Sequence, residues 1–225
     1  MGYSKMNQIK EIYSILLKEF SPQGWWPTTL ENELHPKHHG IAPRNEKERF
    51  EIIIGAILTQ NTSWKNVEKA IFNLNKEKLI DIKKIKSINQ KKLASLIRPS
   101  GYYNQKAEKL KIAANFFLKN KNPSREQLLD VKGIGPETAD SILLYAFQKP
   151  FFVVDAYTKR IFSRIGLCNP NIKYNELQEI FHKSLSKNTK IFNQYHALIV
   201  ELAKQFCTTK PKCKTCPIES YCKKL

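Results

Sequence analysis

The chain has 225 residues, 41% hydrophobic and 26% charged, enough to bury the core of one domain or two small ones. Its longest apolar run, Ile52 to Leu58, is too short to cross a bilayer, and Glu11, Lys18 and Glu19 interrupt the N-terminal segment, which excludes a signal peptide or membrane span there. Thirty-eight Lys and Arg against twenty Asp and Glu give a net charge of +18, the footprint of a nucleic-acid binder, although a lysine-rich proteome would also produce such an excess.

These features predict a soluble, cytoplasmic, nucleoid-associated protein of prokaryotic type that works as a monomer and has no membrane partner. In such a compartment disulfides are uncommon, and a cysteine cluster reads as a metal site.

In chain order the pattern is helical nearly throughout. Met6, Ile9, Ile12, Tyr13, Leu16, Leu17 and Phe20 recur at three-and-four spacing and predict an amphipathic helix. A proline-rich loop spans Ser21 to Asn45, and Arg49 to Leu58 is apolar on all sides, as a buried central helix would be. Further helices are predicted at Trp64–Asn75, Gln90–Ile97, Asn104–Leu118, Ala139–Phe147, Ala156–Ile165, Tyr174–Leu185 and Phe192–Phe206. The run Phe151 to Val154 has strand character but no partner strand. The expected fold is all-α.

Leu128 to Phe147 reads LLDVKGIGPETADSILLYAF. A short helix ends near Asp130, Lys132-Gly133-Ile134-Gly135 makes a tight turn, and Pro136 opens the next helix. Two glycines free of the Cβ penalty bring backbone N–H groups close to a phosphate oxygen, the pattern of a helix-hairpin-helix that grips the DNA backbone. An ordinary αα-hairpin would share the glycine turn. Next, PFFVVDAYTKR delivers one carboxylate, Asp155, to a helix start, where aspartate is also a favoured cap.

The hairpin, loop and aspartate, in that order, resemble the HhH-GPD superfamily of DNA glycosylases from about residue 45 to the C-terminus. The resemblance implies two helical domains with a DNA-binding cleft between them: a helical-barrel domain at 41–150 carrying the hairpin, and a cluster domain from 1–40 and 151–225. It places Asp155 on the catalytic aspartate, which stabilises the oxocarbenium-like sugar and assists the attacking water. The implied substrate is double-stranded DNA containing damaged bases.

Cys207, Cys213, Cys216 and Cys222 have the spacing C-x5-C-x2-C-x5-C, and four thiolates suit a [4Fe–4S] cluster or structural zinc. The single C-x-x-C differs from the paired knuckles of zinc ribbons. It is similar to the [4Fe–4S] loop of the endonuclease III branch, which usually has six residues in the first gap. Cys168 stands apart as a small buried hydrophobe.

Endonuclease III also cleaves the backbone, using a lysine two residues after the second hairpin glycine. Here that position is Glu137, so no Schiff base can form there and the enzyme is read as monofunctional. Trp25-Trp26-Pro27, Leu58 to Trp64, and Arg98 to Ala107 look like the 3-methyladenine DNA glycosylase III subfamily. That likeness implies an aromatic base pocket from Trp25, Trp26 and Trp64, suited to cationic N-alkylated purines. Members of that subfamily lack the cysteine cluster, so the chain mixes features of two branches. By family position Gln60 or Asn61, and Tyr102, would fill the vacated base stack. Two other readings stand beside this one: a bifunctional glycosylase–lyase on oxidised pyrimidines, and a non-catalytic helix-hairpin-helix DNA-binding protein. Borohydride trapping separates the first and base release the second.

Overall fold

A computed structural model of the protein describes residues 3–223. Eleven α-helices and short 3₁₀ turns make up its regular structure, with one isolated bridge between Thr28 and Lys37 and no strand among the described residues. The all-α expectation holds. The chain forms two compact units, residues 26–148 and residues 1–25 with 149–225.

The first unit is built on α2 (Glu46–Leu58), buried continuously from Phe50 to Leu58. Asn45 caps it by accepting from the Glu48 amide at 2.9 Å. Around α2 pack α3 (Trp64–Lys76), α6 (Tyr103–Lys119) and α8 (Pro136–Ser141), which runs on as a π-helical turn over Ile142–Ala146. Two short helices, α4 (Ile82–Ser87) and α5 (Gln90–Leu96), lie on α6. Sequence periodicity misses α4, because six residues with two isoleucines carry too few repeats to read.

Residues 26–40 fold with this unit, although the sequence reading places 1–40 in the other. A buried polar knot is the cause. Glu51 Oε1 on α2 accepts from the Thr29 amide at 2.7 Å and its hydroxyl at 2.8 Å, and Asn75 Nδ2 on α3 donates to that hydroxyl at 2.8 Å. Burial pushes the Glu51 carboxyl up, against the pull of Thr29 and Asn75. The boundary therefore falls at Trp26 and at Gln148, where a positive φ of 52° turns the chain out of the unit.

In the second unit α1 (Tyr3–Phe20) packs on α10 (Tyr174–Ser184) and α11 (Thr189–Gln205), and α9 (Ala156–Arg164) packs on α11. Phe152 stacks on Phe181 with centroids 3.9 Å apart, and Phe192 and Tyr195 meet it edge-on. The Tyr195 hydroxyl, buried with them, donates to the Ile9 carbonyl at 2.8 Å. The FFVV run is extended but pairs with no strand. Side chains serve its backbone instead: His182 accepts from the Phe152 amide at 3.0 Å and Gln178 donates to the Phe152 carbonyl at 2.7 Å. This answers the demand that buried amides and carbonyls be paired without any sheet.

The hairpin is clamped across its two arms. Arg125 on α7 (Arg125–Leu129) donates from Nε and Nη2 to the two Asp140 oxygens on α8, at 2.7 and 3.1 Å. Asp140 has no exposed side-chain surface. Removing one member of a buried pair leaves the other without its counter-charge. Arg125→Met should therefore cost about 3 kcal/mol of stability, measured by urea unfolding, whereas a loss below about 1 kcal/mol would mean the clamp is worth no more than a surface pair.

Candidate functional site

Asp155 is the N-cap of α9. Its Oδ1 accepts from the Thr158 amide at 2.7 Å and the Thr158 hydroxyl at 2.8 Å, while Oδ2 lies 3.6 Å from Nε2 of His196 on α11. The side chain is 15% exposed. Burial pushes the carboxyl up, but His196 and Thr158 together outweigh burial and hold it below the usual aspartate value. The result is a desolvated carboxylate that stays charged, with one oxygen fixed by the helix start and the other facing an imidazole. The preceding extended segment delivers it, with the Tyr174 hydroxyl accepting from the Val154 amide at 3.4 Å. His196 is the residue that sequence reasoning leaves unassigned; only the packing of α9 on α11 brings it to Asp155.

The hairpin turn lies in the other unit. Gly133 has φ +91°, and a Cβ there would come within 2.7 Å of Lys109 Cγ, so the position admits only glycine. Gly135 is extended and its missing Cβ would meet nothing within 4 Å, so here glycine keeps the surface open. The amides of Gly133 and Gly135 have no acceptor among the described residues. Ile134 differs from the expectation for a backbone-gripping residue: its side chain is buried and its amide donates to the Val131 carbonyl at 3.0 Å. Lys132 is exposed and pairs with Glu108 at 2.8 Å, which pushes its ammonium up. Glu137 is exposed in the first turn of α8.

Gln60, read from sequence as a candidate wedge, is held by both ends of its amide. Nε2 donates to the Gly133 carbonyl and the Thr138 hydroxyl, each at 3.0 Å, and Oε1 accepts from Lys109 Nζ at 2.6 Å. It is a strut between the α2 end and the hairpin. Asn61, next in the chain, is exposed with φ 54°, and Tyr102 is 64% exposed with φ 46°. Both side chains project from left-handed turns.

The three tryptophans do not make one uniform wall. Trp26 is 7% exposed, packed against Gly55, and meets Trp64 edge-on at 5.4 Å and Tyr145 at 5.0 Å. Tyr145, invisible as a site residue in the sequence, completes this aromatic group. Trp25 belongs to the other unit, where Asn193 donates to its carbonyl at 2.7 Å and the Lys204 ammonium lies 5.8 Å from its ring.

Cys207, Cys213, Cys216 and Cys222 line a cavity of about 250 Å³, walled by apolar groups such as Ile161, Leu202 and Phe206. No three His, Cys, Asp or Glu side chains among the described residues converge as ligands of one ion. Four thiols around an apolar-walled cavity are a donor set that fits either a polynuclear cluster or a tetrahedral zinc. Arg164 closes one side, donating from Nη1 to the Thr208 carbonyl at 2.7 Å and to Cys207 Sγ at 3.3 Å.

Residues 54–187 match the family described as HhH-GPD superfamily base excision DNA repair proteins. A Methanocaldococcus jannaschii protein, provisionally named a DNA repair glycosylase, is 45% identical over 99% of this chain and 99% of its own. The 3-methyladenine DNA glycosylase of H. pylori, solved bound to 1,N6-ethenoadenine, is 33% identical, with a TM-score of 0.71 over 89% of this chain and 97% of that one. A non-covalent endonuclease III–DNA complex matches with a TM-score of 0.79 over 97% of this chain and 95% of its own, at 22% identity, a likeness of fold.

The Asp155 geometry makes a direct prediction. His196→Phe removes the group facing Oδ2 and leaves burial less opposed, so the carboxyl should titrate higher than in the wild-type protein. Carbon-detected NMR titration of Asp155 in both proteins measures this, and an unchanged midpoint would assign the low value to the Thr158 bonds alone.

Proposed function

The chain belongs to the HhH-GPD superfamily of base excision DNA repair proteins, and from that premise we propose that it is a monofunctional glycosylase releasing N-alkylated purines of the 3-methyladenine type. Its enzyme class is that of the family: a DNA glycosylase, which hydrolyses the N-glycosidic bond between base and deoxyribose.

Asp155 is the observation that carries the chemistry. As the bond from C1′ to the base breaks, positive charge develops on the sugar and the base takes the bonding electrons; water then adds its oxygen to C1′ and passes its proton to solvent, assisted by the Asp155 carboxylate. A fixed, desolvated carboxylate opposes that charge without reorganising, an effect worth on the order of 3 kcal/mol. An alkylated purine is already cationic and leaves readily, so no strong general acid is required. Trp64, half-buried and backed edge-on by the buried Trp26, supports this substrate class because an aromatic ring favours a cationic base, and the likeness to the H. pylori enzyme agrees with it.

Restriction to hydrolysis rests on the amines. Glu137 stands where the bifunctional branch has its lysine. Lys132 is held as an ammonium by Glu108, which is the wrong form for attack on an abasic sugar. Lys106 does have a depressed pKa, lowered to about 8 by burial and by Lys109, but it is 2% exposed and bonded to two carbonyls. Neither Lys132 nor Lys106 is both accessible and primed for attack.

We assign the cysteine cavity to a [4Fe–4S] cluster held by Cys207, Cys213, Cys216 and Cys222. When bound, such a cluster ties the ends of the C-terminal loop together. The loop then presents Lys210, Lys212 and Lys214 to phosphates.

The test uses a duplex carrying one methylated adenine. The wild-type protein should release the base and leave an abasic strand that breaks only on later alkali treatment. Asp155→Asn, which retains a cap for α9, should slow release at least ~100-fold. Strand cleavage without alkali, or near-normal release by the variant, would overturn the reading. Protein purified in air should be yellow-brown, with absorbance near ~400 nm; a colourless protein with one zinc per chain would refute the cluster assignment.

A further inference from the structure

Lys106 is an unusual residue in this fold: a lysine buried to 2% exposure with no carboxylate beside it. Its ammonium donates instead to two backbone carbonyls, Leu58 at 2.8 Å and Ser100 at 2.7 Å. Leu58 is the last residue of α2, where unpaired carbonyls and the helix dipole both favour a cation. Ser100 ends the short turn Arg98–Ser100. The Lys106 amide also donates to the Tyr102 carbonyl at 3.0 Å. The amide bond is the ordinary first turn of α6, and the side chain ties two points: the end of α2 and the residue before Gly101.

The segments it holds are the two that carry exposed side chains on left-handed backbone. Asn61 lies three residues past Leu58, and Tyr102 two past Ser100. For a residue other than glycine this conformation is costly and persists only where its surroundings fix it. Lys109, one turn further along α6, grips Gln60 beside Asn61, and Gln60 in turn grips the hairpin at Gly133. The Asn61 turn, the Tyr102 turn and the hairpin turn are therefore laced together by the side chains of Lys106, Lys109 and Gln60.

We propose that Lys106 is a positioning residue for base extrusion, holding the Asn61 and Tyr102 turns as one rigid two-pronged wedge that enters the duplex as a unit. The proposal rests on the reading of the chain as a base-flipping glycosylase and adds to it the residue on which flipping depends. Extruding a paired base costs a few kcal/mol, most of which is already met when the base is unpaired. A rigid wedge therefore matters for a paired lesion and little for an unpaired one.

The experiment compares a lesion opposite thymine with the same lesion in a two-nucleotide bulge, under single-turnover conditions, using ethenoadenine to read extrusion and methylated adenine to read release. Ethenoadenine fluorescence, which rises on unstacking, reports extrusion separately from base release. Lys106→Met keeps length and removes the donors. It should slow extrusion and release from the paired duplex at least about tenfold while changing the bulged duplex by less than about twofold. Lys106→Gln, which retains one donor group, should fall between, and serves if the methionine variant does not fold. Equal loss on both duplexes, or no loss on either, would overturn the proposal while leaving the glycosylase reading intact. Failure of the wild-type protein to release the methylated base from both duplexes would instead remove the substrate assignment and this inference with it.

Discussion

Every α-helix begins with four amides and ends with four carbonyls that the helix itself cannot pair. In a protein made almost wholly of helices, the settling of those groups decides where polar side chains go. The functional candidates sit at these places. Asp155 caps α9 and leaves its second oxygen for His196. Lys106 takes the carbonyl at the end of α2. Gln60, just beyond that end, takes the Gly133 carbonyl of the hairpin. A residue bound in this way loses rotamer freedom before any substrate arrives, so the site is organised in advance.

The same constraint explains what a linear reading recovers. Asp155 and the glycine turn are local features, and their chemistry follows from residues within a few positions. The helices with two or more turns of periodic apolar residues are equally legible. Partners across the fold are not. Gln60 has the composition of an exposed helix-end cap, and nothing near it in sequence signals Gly133, Thr138 or Lys109. Lys106 lies in a lysine-rich stretch where a solvated charge is the default, yet it is buried. FFVV carries the composition of a strand, and Gln178, His182 and Tyr174 on α10 supply what a sheet would have supplied. The Trp25-Trp26 pair looks like one aromatic surface because the chain writes the two together, but the unit boundary passes between them.

Charge shows a further separation between sequence and structure. A net +18 suggests a uniformly attractive surface, but two lysines of α6 are committed to contacts within the protein. Lys106 and Lys109 hold backbone and amide oxygens and lend the hairpin rigidity instead of surface potential. At the turn itself the balance is finer. Glu137 is favoured by the dipole of α8 yet opposes a phosphate nearby. Lys132 is paired with Glu108, but that pair is exposed and screened by solvent. So weak a pair leaves Lys132 available to an anion beside the glycine turn, where the extended Gly135 keeps the surface open.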